Sequence, residues 1–259
     1  MSANILVCND DGIYAPGIRV LYEVVRDLGK VTVVAPAAEQ SAVGHAITIA
    51  DPIKLRSITR NGGFQGYAVG GTPADCVKLA VSELLPTRPD LVVSGINLGP
   101  NVGISVIYSG TVSGATEGAI LGIPSIAISL ATFQNPFWET AGRIARQMVR
   151  YVLEHGLPTD TLLNVNVPNL PMDQIHGFRV TRMGRSRFAE VFHRRANPRG
   201  DAYYWLDGDL EMLGEYNGTD VQAIAEDYVS LTPIWFDLTR MEALDDLRRW
   251  ELPWPPPTS

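Results

Sequence analysis

The chain has 259 residues, 46% of them hydrophobic and 19% charged, with a formal net charge of −7. That length and balance fit a soluble globular protein with one large core, or a core with a smaller appendage. The acidic excess argues against general nucleic-acid binding, which needs a basic footprint. No apolar run is long enough for a membrane span, and no basic signal-type segment precedes the first apolar run, which points to the cytoplasm.

In chain order, residues 4–8 read as a compact apolar strand, and residues 15–28 carry helical spacing at Ile18, Leu21, Val24, Val25 and Leu28. Gly29 breaks that helix, residues 31–35 form a β-branched strand, and a loop over 36–44 leads to a strand through 47–49. Residues 67–69 read as a short strand. Thr72 then caps a helix running to about residue 85, with Pro73 in its first position. A buried strand over 90–94, a helix over 114–121 and a strand over 124–129 follow. An amphipathic helix over 137–155 is closed by Gly156, and residues 162–167 are strand-like. Strands alternating with helices indicate a doubly covered, mainly parallel sheet.

Residues 177–228 differ. Seven arginines lie between Arg179 and Arg199, followed by Tyr203-Tyr204-Trp205 and many turn residues, a pattern of extended strands or hairpins. The arginines form a solvated or subunit-contacting face, or else bind nucleic acid or a substrate phosphate. Residues 237–250 read as a short charged helix and 253–257 as an irregular tail. The two cysteines, Cys8 and Cys76, make neither a disulfide framework nor a zinc site and read as buried thiols.

Asn9-Asp10-Asp11-Gly12 directly follows the first strand. Adjacent carboxylates at a strand's carboxyl end are costly to desolvate, and a divalent cation relieves that cost; the same residues also make an ordinary turn. In open α/β sheets ligands bind outside the carboxyl ends of the strands, which gathers Asp10, Asp11, Ser41 and Asn97 into one constellation. Their hard oxygen donors suit Mg²⁺, Mn²⁺ or Ca²⁺ better than zinc. The four histidines lack zinc spacing; His45 is either structural or close enough for acid–base work, and His155 ends a helix. Tyr108-Ser109-Gly110-Thr111 precedes a helix, where backbone N–H groups and the hydroxyls of Ser109 and Thr111 can bind an anion. The small residues serve equally for close helix–sheet packing.

The stretch ILVCNDDGIYAPG at residues 5–17 resembles the opening of the SurE survival-protein family of nucleotidases. The resemblance continues through Gln40-Ser41-Ala42-Val43-Gly44-His45, Gly71-Thr72-Pro73-Ala74-Asp75 and Ser94-Gly95-Ile96-Asn97-Leu98-Gly99. It also takes in Tyr108-Ser109-Gly110-Thr111-Val112, Asn197-Pro198-Arg199-Gly200, Gly218-Thr219-Asp220 and Ser230-Leu231-Thr232-Pro233. It implies a three-layer Rossmann-like α/β core with an extended C-terminal hairpin or arm for oligomerisation. The expected division is a catalytic core at 1–176, an intersubunit hairpin and returning strand at 177–236, and a helix with a proline-rich tail at 237–259.

The implied activity is divalent-metal-dependent hydrolysis of nucleoside monophosphates, a 5′-nucleotidase that extends in some members to 3′-nucleotides and short polyphosphate. Metal ligands fall on Asp10, Asp11, Ser41 and Asn97, with one Mg²⁺ or Mn²⁺ per subunit. Asp10 and Asp11 carry the catalysis, by metal-activated water attack, and Asn9, Ser109, Gly110 and Thr111 bind phosphate. The partners implied are the nucleotide and further copies of the chain, in a homodimer or homotetramer. Many members carry an acidic residue and an arginine where this chain has Ala37-Ala38; Glu39 partly replaces the charge, and the change bears on substrate preference. A non-catalytic nucleotide sensor with the same fold is the competing expectation.

Overall fold

The first strand, β1 (Ala3–Cys8), sends Ile5 and Val7 to one face and Leu6 and Cys8 to the other, and all four side chains are buried. This two-sided burial is what a central parallel strand between two helical layers requires. β2 (Gly29–Pro36) pairs parallel with one edge of β1, and β5 (Leu91–Leu98) pairs parallel with the other. The computed structural model describes residues 2–59, 64–250 and 254.

Beyond β2 lie β4 (Gln65–Val69), parallel to it, and the antiparallel β3 (Leu55–Thr59). Beyond β5 lie β6 (Ser125–Ala131) and β7 (Thr161–Pro168), both parallel. The returning strand β11 (Val229–Trp235) joins β7 antiparallel and carries the short parallel β8 (Phe178–Val180) at the far edge. The result is an open, mostly parallel sheet in the order β3-β4-β2-β1-β5-β6-β7-β11-β8.

Helices α1 (Pro16–Val25) and α5 (Trp138–His155) cover the Ile5 and Val7 face. Helix α2 (Pro73–Leu79) covers the Leu6 and Cys8 face, and α4 (Gly110–Ile120) packs beside it. In α1, Ile18, Leu21 and Val25 form the buried stripe; in α5, Ala141, Ile144, Ala145, Met148, Val149 and Val152 do the same. The predicted cap of α2 is present: the Thr72 hydroxyl accepts from Asp75 N–H at 3.2 Å, and the Asp75 carboxylate accepts from Thr72 N–H at 2.9 Å. Past Leu79 the helix widens into a π turn over Ala80–Leu84. Among the described residues no helix is long and apolar enough to cross a membrane.

Three expected elements need correction. Residues 47–49 are not a strand. Ile49 is exposed, and the segment's polar groups are claimed by the start of α2: Thr48 N–H and hydroxyl donate to Asp75, and the Thr72 hydroxyl donates to Ala46 O. The helix expected from residue 114 begins four residues earlier, because Ser109 caps it. The charged helix expected over 237–250 shrinks to a 3₁₀ turn at Met241–Ala243 and the single turn α7 (Leu244–Arg248), neither of which buries a residue. Without an apolar face to bury, short charged sequence does not sustain a longer helix. Of the expected tail at 253–257, all but Trp254 lies outside the described residues.

The arginine-rich region contains the predicted hairpin, β9 (Ser186–Ala196) against β10 (Ala202–Met212), which forms a separate two-stranded ribbon. The region also holds α6 (Asp220–Ala225), capped by Thr219. A last short helix, α3 (Ser105–Tyr108), lies between β5 and α4.

Candidate active site

The chain order places β1 at the point where the sheet's winding reverses: β2 and β4 are laid to one side, then β5 to the other. At such a switch point the loops diverge and leave a crevice beyond the carboxyl ends of the strands. Three loops meet there, after β1, β2 and β5.

The loop after β1 is set by Asn9, which is fully buried and donates through Nδ2 to Gly12 O at 3.0 Å. Asn9 Oδ1 has no protein partner among the described residues. Asp10 is 6% exposed. Its carboxylate accepts hydrogen bonds from the hydroxyl and the backbone N–H of Thr111, and its backbone carbonyl accepts from Gln40 N–H at 2.8 Å. The Asp10 carboxylate thus lies at the N-terminus of α4, where the helix dipole favours a negative charge. Burial is the largest influence on it and pushes the carboxyl above the ordinary Asp range despite these hydrogen bonds.

Asp11 is half-buried and accepts from the N–H of Leu98 at the end of β5. Burial, then the charge of Asp10, pushes its carboxyl up to about 6, with Glu39 adding to the rise. Ser41 is exposed and donates through Oγ to Glu39 Oε1 at 2.5 Å. Glu39 therefore supplies negative charge beside the pair where the sequence has Ala37-Ala38. Asn97 Nδ2 donates to Gly99 O at 2.8 Å, a bond that does not use its Oδ1.

Asp10, Ser41, Asn97 and Ser109 line one cleft of about 210 Å³, room for a phosphoryl group and several waters. Asp11 adjoins it through its bond to Leu98. Two carboxylates, a hydroxyl and an amide oxygen are a hard donor set, and burial makes the negative charge of the adjacent carboxylates costly unless a proton or a cation neutralises it. The residues therefore fit a hard divalent cation. Among the described residues no group of three or more His, Cys, Asp or Glu side chains is gathered for a metal, so a cation here would rest on this mixed set.

Both readings of the small residues before α4 have a counterpart in the geometry. Gly110, Gly114 and Gly118 form a stripe facing the sheet: a Cβ on them would lie 2.7 Å from Asp10 Cβ, 2.9 Å from Ser94 Oγ and 2.3 Å from Ser125 Oγ, respectively. The glycines bring the helix N-terminus against Asp10. Ser109 accepts from Val112 N–H at 3.1 Å, and its hydroxyl proton remains for a ligand in the cleft. Thr111 is fully buried and gives its hydroxyl proton to Asp10, so it acts on an anion only through Asp10. His45 is held by Glu117 at 2.9 Å, with Lys78 on the same carboxylate, and stands outside this cleft. Cys8 and Cys76 are free and buried.

Sequence reasoning missed the framework of the third loop. Asn101 N–H donates to Asn166 Oδ1, Asn164 and Asn166 donate to Asn101 O, and Asn101 Nδ2 donates to Ser129. Gly103 N–H donates to Asp220 Oδ2, and Ile104 N–H donates to Ser186 Oγ. Alternating Asn164 and Asn166 inside an apolar strand was the available signal, since buried amides need partners. Tyr108 and Phe133, which also line the cleft, were missed as well.

The fold and site define a doubly wound α/β protein with an acidic, oxygen-rich cleft at its switch point, beside a capped helix N-terminus. The family model described as "Survival protein SurE" matches residues 5–190, and the chain belongs to that family. It is 52% identical over 248 residues to "5′-nucleotidase SurE" of Syntrophobacter fumaroxidans, covering 96% of this chain and 99% of that protein. It is 50% identical over 244 residues to the protein of the same name from Syntrophus aciditrophicus, covering 94% and 92%. Among solved structures, the SurE protein from Aquifex aeolicus superposes with a TM-score of 0.82 at 43% identity, over 95% of this chain and 98% of that one.

Proposed function

We propose that this protein is a 5′-nucleotidase that releases phosphate from nucleoside monophosphates with the help of one divalent cation per subunit, Mg²⁺ or Mn²⁺. The observation that carries the reading is the clamp on Asp10: a buried carboxylate fixed by Thr111 at a helix N-terminus, opening on a cleft shared with Ser41, Asn97 and Ser109. The names of the relatives supply the substrate class.

Asp10, Asp11, Ser41 and Asn97 would hold the cation, which when bound neutralises phosphate charge and lowers the pKa of water. Asp10 orients the attacking water, its Oδ1 being fixed by Thr111. Ser109 donates its hydroxyl to a phosphoryl oxygen while its lone pair stays on Val112 N–H, so the donor's direction is set before substrate arrives. Gly110 admits the phosphoryl group close to the helix terminus. Asn9 holds the turn that aims Asp10 and Asp11. Since no residue two positions after Asp10 offers a second carboxylate, water attack is the preferred route over a phospho-aspartate. Activity on 3′-nucleotides and short polyphosphate belongs to the same proposal.

We further propose a homodimer or homotetramer built through residues 177–236. The β9–β10 ribbon exposes Val191, Phe192, Tyr203, Tyr204, Trp205 and Leu206, and a two-stranded ribbon of that length is marginal without a partner.

Phosphate release from 5′- and 3′-nucleotides, p-nitrophenyl phosphate and short polyphosphate, with Mg²⁺, Mn²⁺ or chelator, tests the reading. Metal-dependent release from 5′-nucleotides that is lost in Asp10→Asn is expected. No release from any nucleotide by folded protein supplied with either metal overturns it.

A further inference from the structure

We propose that Phe133 and Tyr108 form the nucleobase platform of the cleft, so that the enzyme recognises its substrate by stacking and tolerates any base. The inference rests on the nucleotidase reading and extends it to the substrate's other end.

Phe133 is 78% exposed and Tyr108 is 54% exposed, yet both line the cleft that holds Asp10, Asn97 and Ser109. A ring that exposed contributes little to the core, and its place at the mouth of a polar site calls for another explanation. Its position is also fixed. A Cβ on Gly99 would stand 2.4 Å from Phe133 Cε1, so the ring is seated directly on the Gly99 backbone. The turn beneath it is braced: Thr132 N–H donates to Leu130 O at 2.7 Å, and the Thr132 hydroxyl donates to Gln134 O at 2.6 Å. Gly99 itself donates to Leu130 O at 3.0 Å and accepts from Asn97. The aromatic seat and the Asn97 ligand therefore share one short segment.

Tyr108 lines the same cleft, one residue before Ser109, and its carbonyl accepts from Gly44 N–H at 3.0 Å. Tyr108 is thus next in sequence to Ser109, and the Phe133 ring sits on the residue two positions after Asn97. Two further polar side chains of the lining are engaged within the protein: Asn101 Nδ2 donates to Ser129, and Ser105 donates to Val102 O. Those two donors are committed before a base arrives. Aromatic stacking is base-tolerant because every base presents a π face.

The test compares kcat/KM for AMP with that for ribose 5-phosphate, which carries the same phosphate and sugar without a base. The ratio is expected to fall about tenfold in Phe133→Ala and in Tyr108→Ala, chiefly through KM for AMP, and to be kept in Phe133→Trp. Wild-type ratios for GMP, CMP and UMP should lie within about tenfold of that for AMP. An unchanged ratio in both alanine variants, with AMP still hydrolysed, overturns the platform and leaves the nucleotidase reading standing. Wild-type protein that cleaves ribose 5-phosphate but no nucleotide overturns both.

Discussion

Gly110 lies against Asp10 so closely that a Cβ on the glycine would fall 2.7 Å from Asp10 Cβ and 3.0 Å from Asp10 Oδ2. The same Cβ would stand 3.1 Å from Gln40 O, so two of the three site loops would be disturbed at once. Helix α4 can deliver the Thr111 hydroxyl and N–H to Asp10 only because nothing projects from position 110. Gly110→Ala should therefore leave the fold in place and reduce kcat/KM by about 100-fold or more, since small displacements of a catalytic group are costly. Circular dichroism beside steady-state kinetics checks this; full activity would show that Asp10 need not sit against α4.

The acidic pair should cost stability when no cation is bound. With its carboxyl pushed up to about 6, Asp11 holds a proton more tightly in the folded than in the unfolded state. Folded stability therefore falls as pH rises from about 3.8 to about 6. Asp11→Asn removes the charge and should raise the stability of metal-free protein at pH 8 by about 1–3 kcal/mol. The gain should shrink as pH drops below about 6 and vanish near 3.8. The same variant should lose most of the Tm rise that Mn²⁺ gives the wild type. Denaturant melts at several pH values, with and without chelator, measure both effects.

Asp220 is a positioning residue. It is fully buried, and its carboxylate accepts from the N–H groups of Gly103, Gly184 and Val221, each at 2.9 Å. One side chain so ties the cleft loop to the base of the hairpin and to the start of α6. Asp220→Asn points an amide at an N–H group and should destabilise by about 1–3 kcal/mol. The diagnostic readout is hydrogen exchange at Gly103, which should accelerate more than exchange in the core strands. If Gly103 stays as protected as in the wild type, Asp220 supports α6 alone.

Glu117 is 2% exposed and accepts from His45 and Lys78, which are partly exposed. Burial pushes its carboxyl up, but the hydrogen bonds from His45 and Lys78 outweigh burial and hold it below the ordinary glutamate range. A lowered folded pKa adds stability that is present above the unfolded value near 4.5 and is lost as pH falls below it. Glu117→Gln should be less stable than wild type by about 1 kcal/mol above pH 5, discounted for the partners' exposure. The difference should close as pH falls from 4.5 through the lowered folded value. Because His45 belongs to the loop that carries Ser41, a rise in the Mn²⁺ concentration needed for half-maximal activity should accompany the loss.

The exposed cross-strand pair Phe192 and Leu206 tests the assembly. Replacing both with glutamate should give a smaller species in sedimentation velocity, with the core's circular dichroism retained. An unchanged sedimentation coefficient would remove the ribbon from the interface.

Where local chemistry decides structure, the sequence alone was enough. Burial on both faces made β1 legible, the Thr72-Pro73-Ala74-Asp75 cap placed α2, and Asp10, Asp11, Ser41 and Asn97 could be gathered because each lies at or after a strand's carboxyl end. Residues 47–49 misled because β-branched composition is only a tendency, and the Asp75 carboxylate outcompeted a strand ladder for Thr48. The start of α4 was hidden because its glycines carry no apolar stripe; they face the sheet to permit contact, which no periodicity scale records.

Only the tertiary structure decided how the side chains divide the work. Thr111, a phosphate donor by position, turned inward to fix Asp10, and Glu39 came to rest on Ser41. Asp220 reached back 117 residues to hold Gly103, and Phe133 came to sit on Gly99. These pairings depend on which loops the sheet order brings together. Hydrophobic pattern places the strands and helices that carry an apolar face, while the direction of a polar side chain is set by whichever partner the finished packing puts within hydrogen-bond reach.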